Sequence, residues 1–193
     1  MAFTDHPELG EIVVSAEQIS TRVAELGHEI AAAYPDPRPV LVGVLKGAFI
    51  FLADLARAMP VPVEYDVMAV SSYGDSTVSS GAVRVVKDLD IDIAGRHVVI
   101  VEDIVDSGLT LGYLRDFLRA RDPASLEVCA LLVRASAPPA NVDWIRWIGF
   151  RIPDAWVVGY GLDAAERWRN LREIRVWRGG KGGPAHGAGS HST

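Results

Sequence analysis

The stretch Val98-Val99-Ile100-Val101-Glu102-Asp103-Ile104-Val105-Asp106-Ser107-Gly108-Leu109-Thr110-Leu111 constrains the fold more than any other part of the chain. Its leading apolar residues, β-branched throughout, predict a strand buried on both faces of a parallel sheet. Glu102 and Asp103 follow where such a strand leaves the sheet. Asp106 to Thr110 then make a short loop with one glycine and two hydroxyls, and a helical pattern runs from Leu109 to Ala120. A strand, acids at its carboxyl end and a small-residue turn into a helix N-terminus together suit a phosphorylated ligand. Exposed backbone N–H groups and the helix dipole favour the phosphate, and Ser107 and Thr110 add hydroxyl donors. The carboxylates would repel that phosphate, so their expected partners are sugar hydroxyls or a Mg²⁺ ion.

Two plainer readings compete. Asp, Ser and Gly cap helices in any α/β protein, so the loop can be a structural turn. A hydrophobic strand ending in Glu-Asp also resembles the magnesium-binding strand of a P-loop NTPase. That reading needs a G-x-x-x-x-G-K-[ST] partner; the nearest fragment, Gly180-Lys181, has Arg175 in place of the first glycine and Gly182 in place of the hydroxyl.

Elsewhere strands and helices alternate. Ser15-Ala16-Glu17-Gln18 fits a capping box, and Ile19, Val23, Leu26 and Ile30 continue a helix to about Tyr34, before the Pro35-Asp36-Pro37 breaker. Val40 to Leu45 predicts a second buried strand and Ala48 to Met59 a helix, with only Lys46-Gly47 between them. By itself that pair reads as a tight turn with an exposed lysine. Val61 to Val70 predicts a strand, followed by the polar run from Ser71 to Gly81, a surface loop by composition, and a returning strand Arg84 to Lys87. Ser125 to Val133 predicts a strand ending at Arg134. Ile145 to Phe150 and Trp156 to Tyr160 predict short strands around the Ile152-Pro153-Asp154 turn. Gly159-Tyr160-Gly161-Leu162-Asp163-Ala164 satisfies a dinucleotide fingerprint formally, but too little chain follows for a βαβ unit. The pattern predicts an α/β fold with a doubly wound, mostly parallel sheet. Ligands of such sheets bind at the strands' carboxyl ends, where Lys46-Gly47, Glu102-Asp103 and Asp106 to Thr110 all fall.

Composition narrows the function classes. With 193 residues, 49% of them hydrophobic, the chain suits one domain with a sizeable core, expected over residues 1–177. The net charge of −6 provides no basic field for nucleic acid. The tail, residues 178–193, is rich in Gly, Ser and His and reads as a flexible appendage. Without its Arg178 and Lys181, 17 basic residues face 25 acidic ones, or −8. The single Cys129 lies in an apolar run and permits no intrachain disulfide, and the five histidines show no zinc-ligand spacing. The N-terminus lacks a signal pattern, and Lys46 and Asp54 interrupt the best candidate for a membrane span. A cytoplasmic protein without membrane or nucleic-acid partners is expected.

The run Val98 to Leu111 resembles the phosphoribosyl pyrophosphate (PRPP) signature of the type I phosphoribosyltransferases. Glu-Asp-Ile-Val-Asp-Ser-Gly-Leu-Thr-Leu is most similar to the hypoxanthine-guanine branch, and the likeness extends from about Glu11 to Ile174. It implies transfer of 5-phosphoribose from PRPP to N9 of a purine, with release of pyrophosphate. Asp106, Ser107, Gly108, Leu109 and Thr110 would grip the 5-phosphate, and Glu102 and Asp103 the ribose hydroxyls. Asp106 would also act as general base on the N7 proton. Leu45-Lys46-Gly47 matches the loop that holds pyrophosphate through backbone amides, and in relatives the peptide joining that Lys and Gly is often cis. Arg169 matches an arginine that contacts pyrophosphate. Asp163 matches a Mg²⁺ ligand, with Glu102 and Asp103 as further candidates. Ser71, Ser72 and Tyr73 would begin a lid that shields an oxocarbenium-like centre from water. Segments around Arg134 and Trp156 would form a small hood over the base, with the Val157 backbone reading the purine edge. A homodimer or homotetramer acting in purine salvage is implied.

Three positions depart from the family pattern. Arg134 stands where a lysine normally donates to the purine 6-oxo group, Trp156 replaces a stacking Phe or Tyr, and Ala164 replaces a tyrosine. Xanthine or an unusual 6-substituted purine therefore stays open as the substrate. So does a regulatory PRPP-binding protein that acts on RNA, although Asp106 and the acidic balance speak against that.

Overall fold

The computed structural model describes residues 5–36, 38–72 and 83–179. Along the chain run β1 (Leu9–Val14), α1 (Ala16–Ala33), β2 (Val40–Leu45), α2 (Phe49–Ala58), β3 (Glu64–Ser72), β4 (Val83–Lys87), β5 (His97–Val105), α3 (Leu109–Arg119), β6 (Ser125–Arg134), α4 (Pro139–Val142), β7 (Trp147–Ile152), β8 (Val157–Val158) and β9 (Ile174–Trp177). Six strands form one sheet in the order β4-β3-β2-β5-β6-β7, parallel except for β4 at the edge. The doubly wound, mostly parallel sheet expected from the sequence is present.

The continuous apolar strands follow from this layering. Leu41, Val99, Val101, Cys129 and Leu131 face a core closed by Ile19, Leu26 and Ile30 of α1 and Phe51, Leu52 and Leu55 of α2. The alternate residues Val40, Val42, Val98, Ile100, Val128 and Ala130 face a second core closed by Leu111, Leu114 and Leu118 of α3. With both faces covered, period-two alternation disappears from these strands. The predicted capping box is formed: the Gln18 amide N–H donates to Ser15 Oγ at 3.2 Å, and the Ser15 N–H to Gln18 Oε1 at 2.9 Å.

A second sheet, three-stranded and antiparallel in the order β1-β9-β8, joins the two ends of the described chain. Neither β1 nor β9 is predicted by the sequence pattern. The strand expected over Trp156 to Tyr160 is confined to β8, because Gly159, Tyr160 and Gly161 hold φ values of 105°, 52° and 102°, which end an extended strand. The strand expected from Ile145 begins at Trp147 instead, since the Ile145 N–H closes a turn onto the Val142 carbonyl at 3.0 Å.

Candidate active site

Glu102 and Asp103 do not mark the exit of β5. Ladder pairing with β2 ends at Gly43–Val101, but pairing with β6 continues through Glu102–Ala130 to Val105–Val133, so both acids lie inside the strand. Adjacent strand residues point to opposite faces. The Asp103 carboxylate meets the loop after β2: a Cβ added to Gly47 would stand 1.7 Å from Asp103 Oδ2, so only glycine fits there. The Ile104 N–H also donates to Asp103 Oδ1 at 2.9 Å. Glu102 is buried, and that burial, reinforced by the Asp103 charge, pushes its carboxyl well above the ordinary carboxylate range.

Lys46-Gly47 joins β2 to α2, and the cis peptide here links Leu45 to Lys46, one bond before the one anticipated. A Cβ on Gly161 would lie 2.2 Å from the Gly47 carbonyl oxygen, so the loop after β8 closes directly onto Lys46-Gly47. Around this contact the charged residues gather. Arg169 donates from Nη1 to the Gly161 carbonyl at 2.7 Å, and its Nη2 pairs with Asp163 Oδ1 at 2.8 Å. Lys46 Nζ lies 3.2 Å from Glu166 Oε2. Lys46, Gly47, Asp103, Asp163 and Arg169, spread over more than a hundred residues of sequence, thus form one patch. Glu166, which the sequence reading passed over, belongs to it.

The loop after β5 starts α3 at Leu109. Gly108 serves as its N-cap with φ 76° and supplies no capping side chain, so the first-turn N–H groups beyond that of Leu109 remain available to an anion. Ser107 Oγ accepts from the Leu109 N–H at 3.4 Å, and Asp106, Ser107, Leu109 and Thr110 are exposed. Asn141 of α4, also unforeseen, donates from Nδ2 to the Ser107 carbonyl at 2.7 Å. Its Cβ and carbonyl lie where a Cβ on Gly108 would be, at 2.8 and 2.9 Å, so it braces the loop from outside.

Arg134 ends β6, buried. It donates from Nη1 to the Ala155 carbonyl at 2.6 Å, and its Nε pairs with Asp106 Oδ1 at 3.4 Å. One guanidinium therefore links the loop after β5 to the segment leading into β8. Trp156 is half-buried against the cluster of Leu9, Val158, Ala164, Trp168 and Leu171, with its ring 6.2 Å from that of Trp177. Val157 faces the opposite way, into the main core. Ser71 and Ser72 end β3, paired with Arg84 and Val83 of β4, while Tyr73 and the rest of the lid expectation fall outside the described residues. The tail expectation falls outside them from residue 180 onward. Among the described residues no group of three or more His, Cys, Asp or Glu side chains could hold a metal alone. No helix there is long and apolar enough to cross a membrane.

Comparison with known proteins agrees with this fold. Residues 11–165 match the phosphoribosyl transferase domain model. The hypoxanthine-guanine phosphoribosyltransferase of Mycobacterium avium is 54% identical over 173 residues, covering 86% of this chain and 85% of that one. The crystal structure of a hypoxanthine phosphoribosyltransferase from Staphylococcus aureus superposes with a TM-score of 0.84 at 37% identity, over 92% of this chain and 96% of that one. A mutant of the Trypanosoma cruzi hypoxanthine phosphoribosyltransferase, complexed with its product IMP, gives a TM-score of 0.82 at 40% identity, over 91% and 94% of the two chains. Sheet order, loop placement and these matches agree: the chain belongs to the phosphoribosyltransferase family.

Proposed function

We propose that this protein transfers the 5-phosphoribosyl group of PRPP to N9 of a 6-oxopurine, hypoxanthine or guanine, giving IMP or GMP and pyrophosphate. The observation that carries the reading is the closure of Gly161 onto Gly47, which gathers Lys46, Asp103, Asp163 and Arg169 at the carboxyl ends of β2 and β5. Cations and a tight backbone loop there suit a pyrophosphate leaving group. The uncapped start of α3, with Ser107 and Thr110, suits the 5-phosphate, and Glu102 and Asp103 suit the ribose hydroxyls between the two.

In the transfer, N9 attacks the anomeric carbon as the bond to the pyrophosphate oxygen breaks, and the N7 proton passes to a carboxylate oxygen of Asp106. That side chain is 69% exposed, so an incoming base can reach it. Arg134 faces the base's 6-oxo group, Trp156 its ring and the Val157 backbone its edge. Mg²⁺ fits this donor set, because it takes one or two carboxylates and completes its shell with water and substrate phosphates. Asp163 would hold such an ion, with Glu102 and Asp103 as alternative ligands rather than one set with it, and when bound it would offset the leaving group's charge. Ser71 and Ser72 would begin the lid, with Tyr73 next in sequence and outside the described residues. Exposed Phe49 and Tyr65 are consistent with self-association as a homodimer or homotetramer.

Xanthine is the second reading, favoured by the base side of the site. Trp156 and Ala164 share one cluster, so a larger and a smaller side chain than the family's are exchanged in the same place. Arg134, with Nη1 held by the Ala155 carbonyl, presents a fork where a lysine presents a point charge. Pyrophosphate release with Mg²⁺ and PRPP, measured against hypoxanthine, guanine, xanthine and adenine, tests both readings. Turnover of the first two supports the main proposal, and selective turnover of xanthine supports the second. No turnover of any base, with PRPP still bound, overturns both.

A further inference from the structure

Among the described residues, Glu166 is the anion that reaches both cations of the pyrophosphate patch. Its Oε2 lies 3.2 Å from Lys46 Nζ and 3.3 Å from Arg169 Nη2. The backbone places it there. Ala165 and Glu166 adopt left-handed φ values of 51° and 62° within a tight turn, in which the Ala164 and Arg167 amides each donate to the other's carbonyl at 3.1 Å. The Glu166 N–H donates to Asp163 Oδ2 at 2.8 Å, so the turn is pinned to the acid that pairs with Arg169. The result is a carboxylate held over Lys46 and Arg169, beside the Gly47–Gly161 contact.

We propose that Glu166 is an internal stand-in for pyrophosphate. Its carboxylate occupies Lys46 and Arg169 in the unliganded protein, yields them to the pyrophosphate group of PRPP, and takes them back as pyrophosphate leaves. This rests on the phosphoribosyl-transfer reading of the site. Such a role suits the exposure of the pair: the Lys46 and Glu166 side chains are 70% and 56% exposed, and exposed ion pairs are weak enough to exchange readily. A buried partner would hold the cations too firmly. Without Glu166, Arg169 would still be paired with Asp163 at 2.8 Å, but Lys46 would keep its full field for the product and slow its departure.

The test is calorimetric titration of inorganic pyrophosphate into the full chain and into Glu166→Gln, Glu166→Asp and Arg169→Gln, in Mg²⁺-free buffer. Glu166→Gln keeps the backbone bond to Asp163 and removes only the charge. It is expected to bind pyrophosphate about three- to tenfold more tightly at about 25 mM salt, with the gain shrinking at about 300 mM salt as screening sets in. Glu166→Asp, with its charge kept, is expected to stay closer to the unaltered chain. Thermal melting of each variant confirms that it is folded. Unchanged or weaker binding in Glu166→Gln, alongside weakened binding in Arg169→Gln, overturns the stand-in role and leaves the pyrophosphate site intact. Unchanged binding in Arg169→Gln removes the pyrophosphate site itself, and the stand-in with it.

Discussion

Replacing Glu102 by glutamine separates what this acid costs the fold from what it gives the site. Glu102 is 7% exposed, and no ion pair holds it among the described residues. Its folded-state pKa is raised, by burial first and by the Asp103 charge second. Below the ordinary glutamate value of about 4.3, folded and unfolded chains both hold the proton and the acid contributes nothing. As pH rises through that value, the unfolded chain releases its proton while the folded one retains it, so stability falls until the folded group also titrates. The amide of the Glu102→Gln variant cannot titrate, so this loss disappears. Single stabilising substitutions act at about 0.5–2 kcal/mol. At roughly 2.1 cal/mol/K of unfolding entropy per residue, 193 residues give about 0.4 kcal/mol/K, so Tm should rise by about 1–5 °C at pH 8. Melting curves from pH 4.5 to 8, at fixed ionic strength in metal-free buffer, are expected to coincide at the acid end and separate toward the alkaline end. KM for PRPP should rise in the same variant, because an amide is a weaker acceptor for ribose hydroxyls. A lower Tm at pH 8 would show that the charge stabilises the fold, and a pH-independent offset would show that shape alone matters. Either result refutes the reasoning.

Asp106→Asn is expected to lower kcat by about 10²–10⁴, the usual scale for a general base, while calorimetry finds PRPP affinity within about twofold; an equal loss of PRPP affinity would make Asp106 a binding residue. Gly47→Ala places a methyl 1.7 Å from Asp103 Oδ2, so turnover should be lost and Tm should fall by roughly 3–7 °C, from about 1–3 kcal/mol of overpacking.

The parts of the site legible in the sequence are those whose chemistry sits in contiguous residues. Val98 to Leu111 reads as strand, acids, loop and helix, and the structure builds β5, the loop and α3 from it. The extent of β5 was not legible, because Glu102 and Asp103 look like strand-ending residues. Its length is set by its partner: β6 runs on to Arg134 and keeps β5 paired through Val105. The small sheet was hidden for a similar reason. Gly10 and Glu11 interrupt the apolar pattern of β1, and its partner β9 lies at the far end of the described chain. Glu166 and Asn141 carry no local signal at all. Neither a loop acid nor an amide in a short helix stands out from its neighbours in sequence, and only contacts with Lys46, Arg169 and Ser107 distinguish them.

The two halves of the site rest on different foundations, and this bears on how base choice can change. The proposed PRPP half stands on the carboxyl ends of β2 and β5, inside a sheet covered on both faces, and its close contacts at Gly47 and Gly161 leave no room for larger side chains. The proposed base half includes the three-stranded sheet, where Trp156 and Ala164 pack in a separate cluster that can exchange volume without touching β5. Arg134 breaks this separation, since its guanidinium pairs with Asp106 and donates to the Ala155 carbonyl at once. On the proposed assignment, a substitution at Trp156 or Ala164 re-tunes the fit of the base while leaving Asp106, the proposed proton acceptor, in place. A substitution at Arg134 alters the setting of Asp106 and, on the same assignment, base recognition with it. Drift in base preference should therefore be tolerated first at Trp156 and Ala164, and only with a loss of turnover at Arg134.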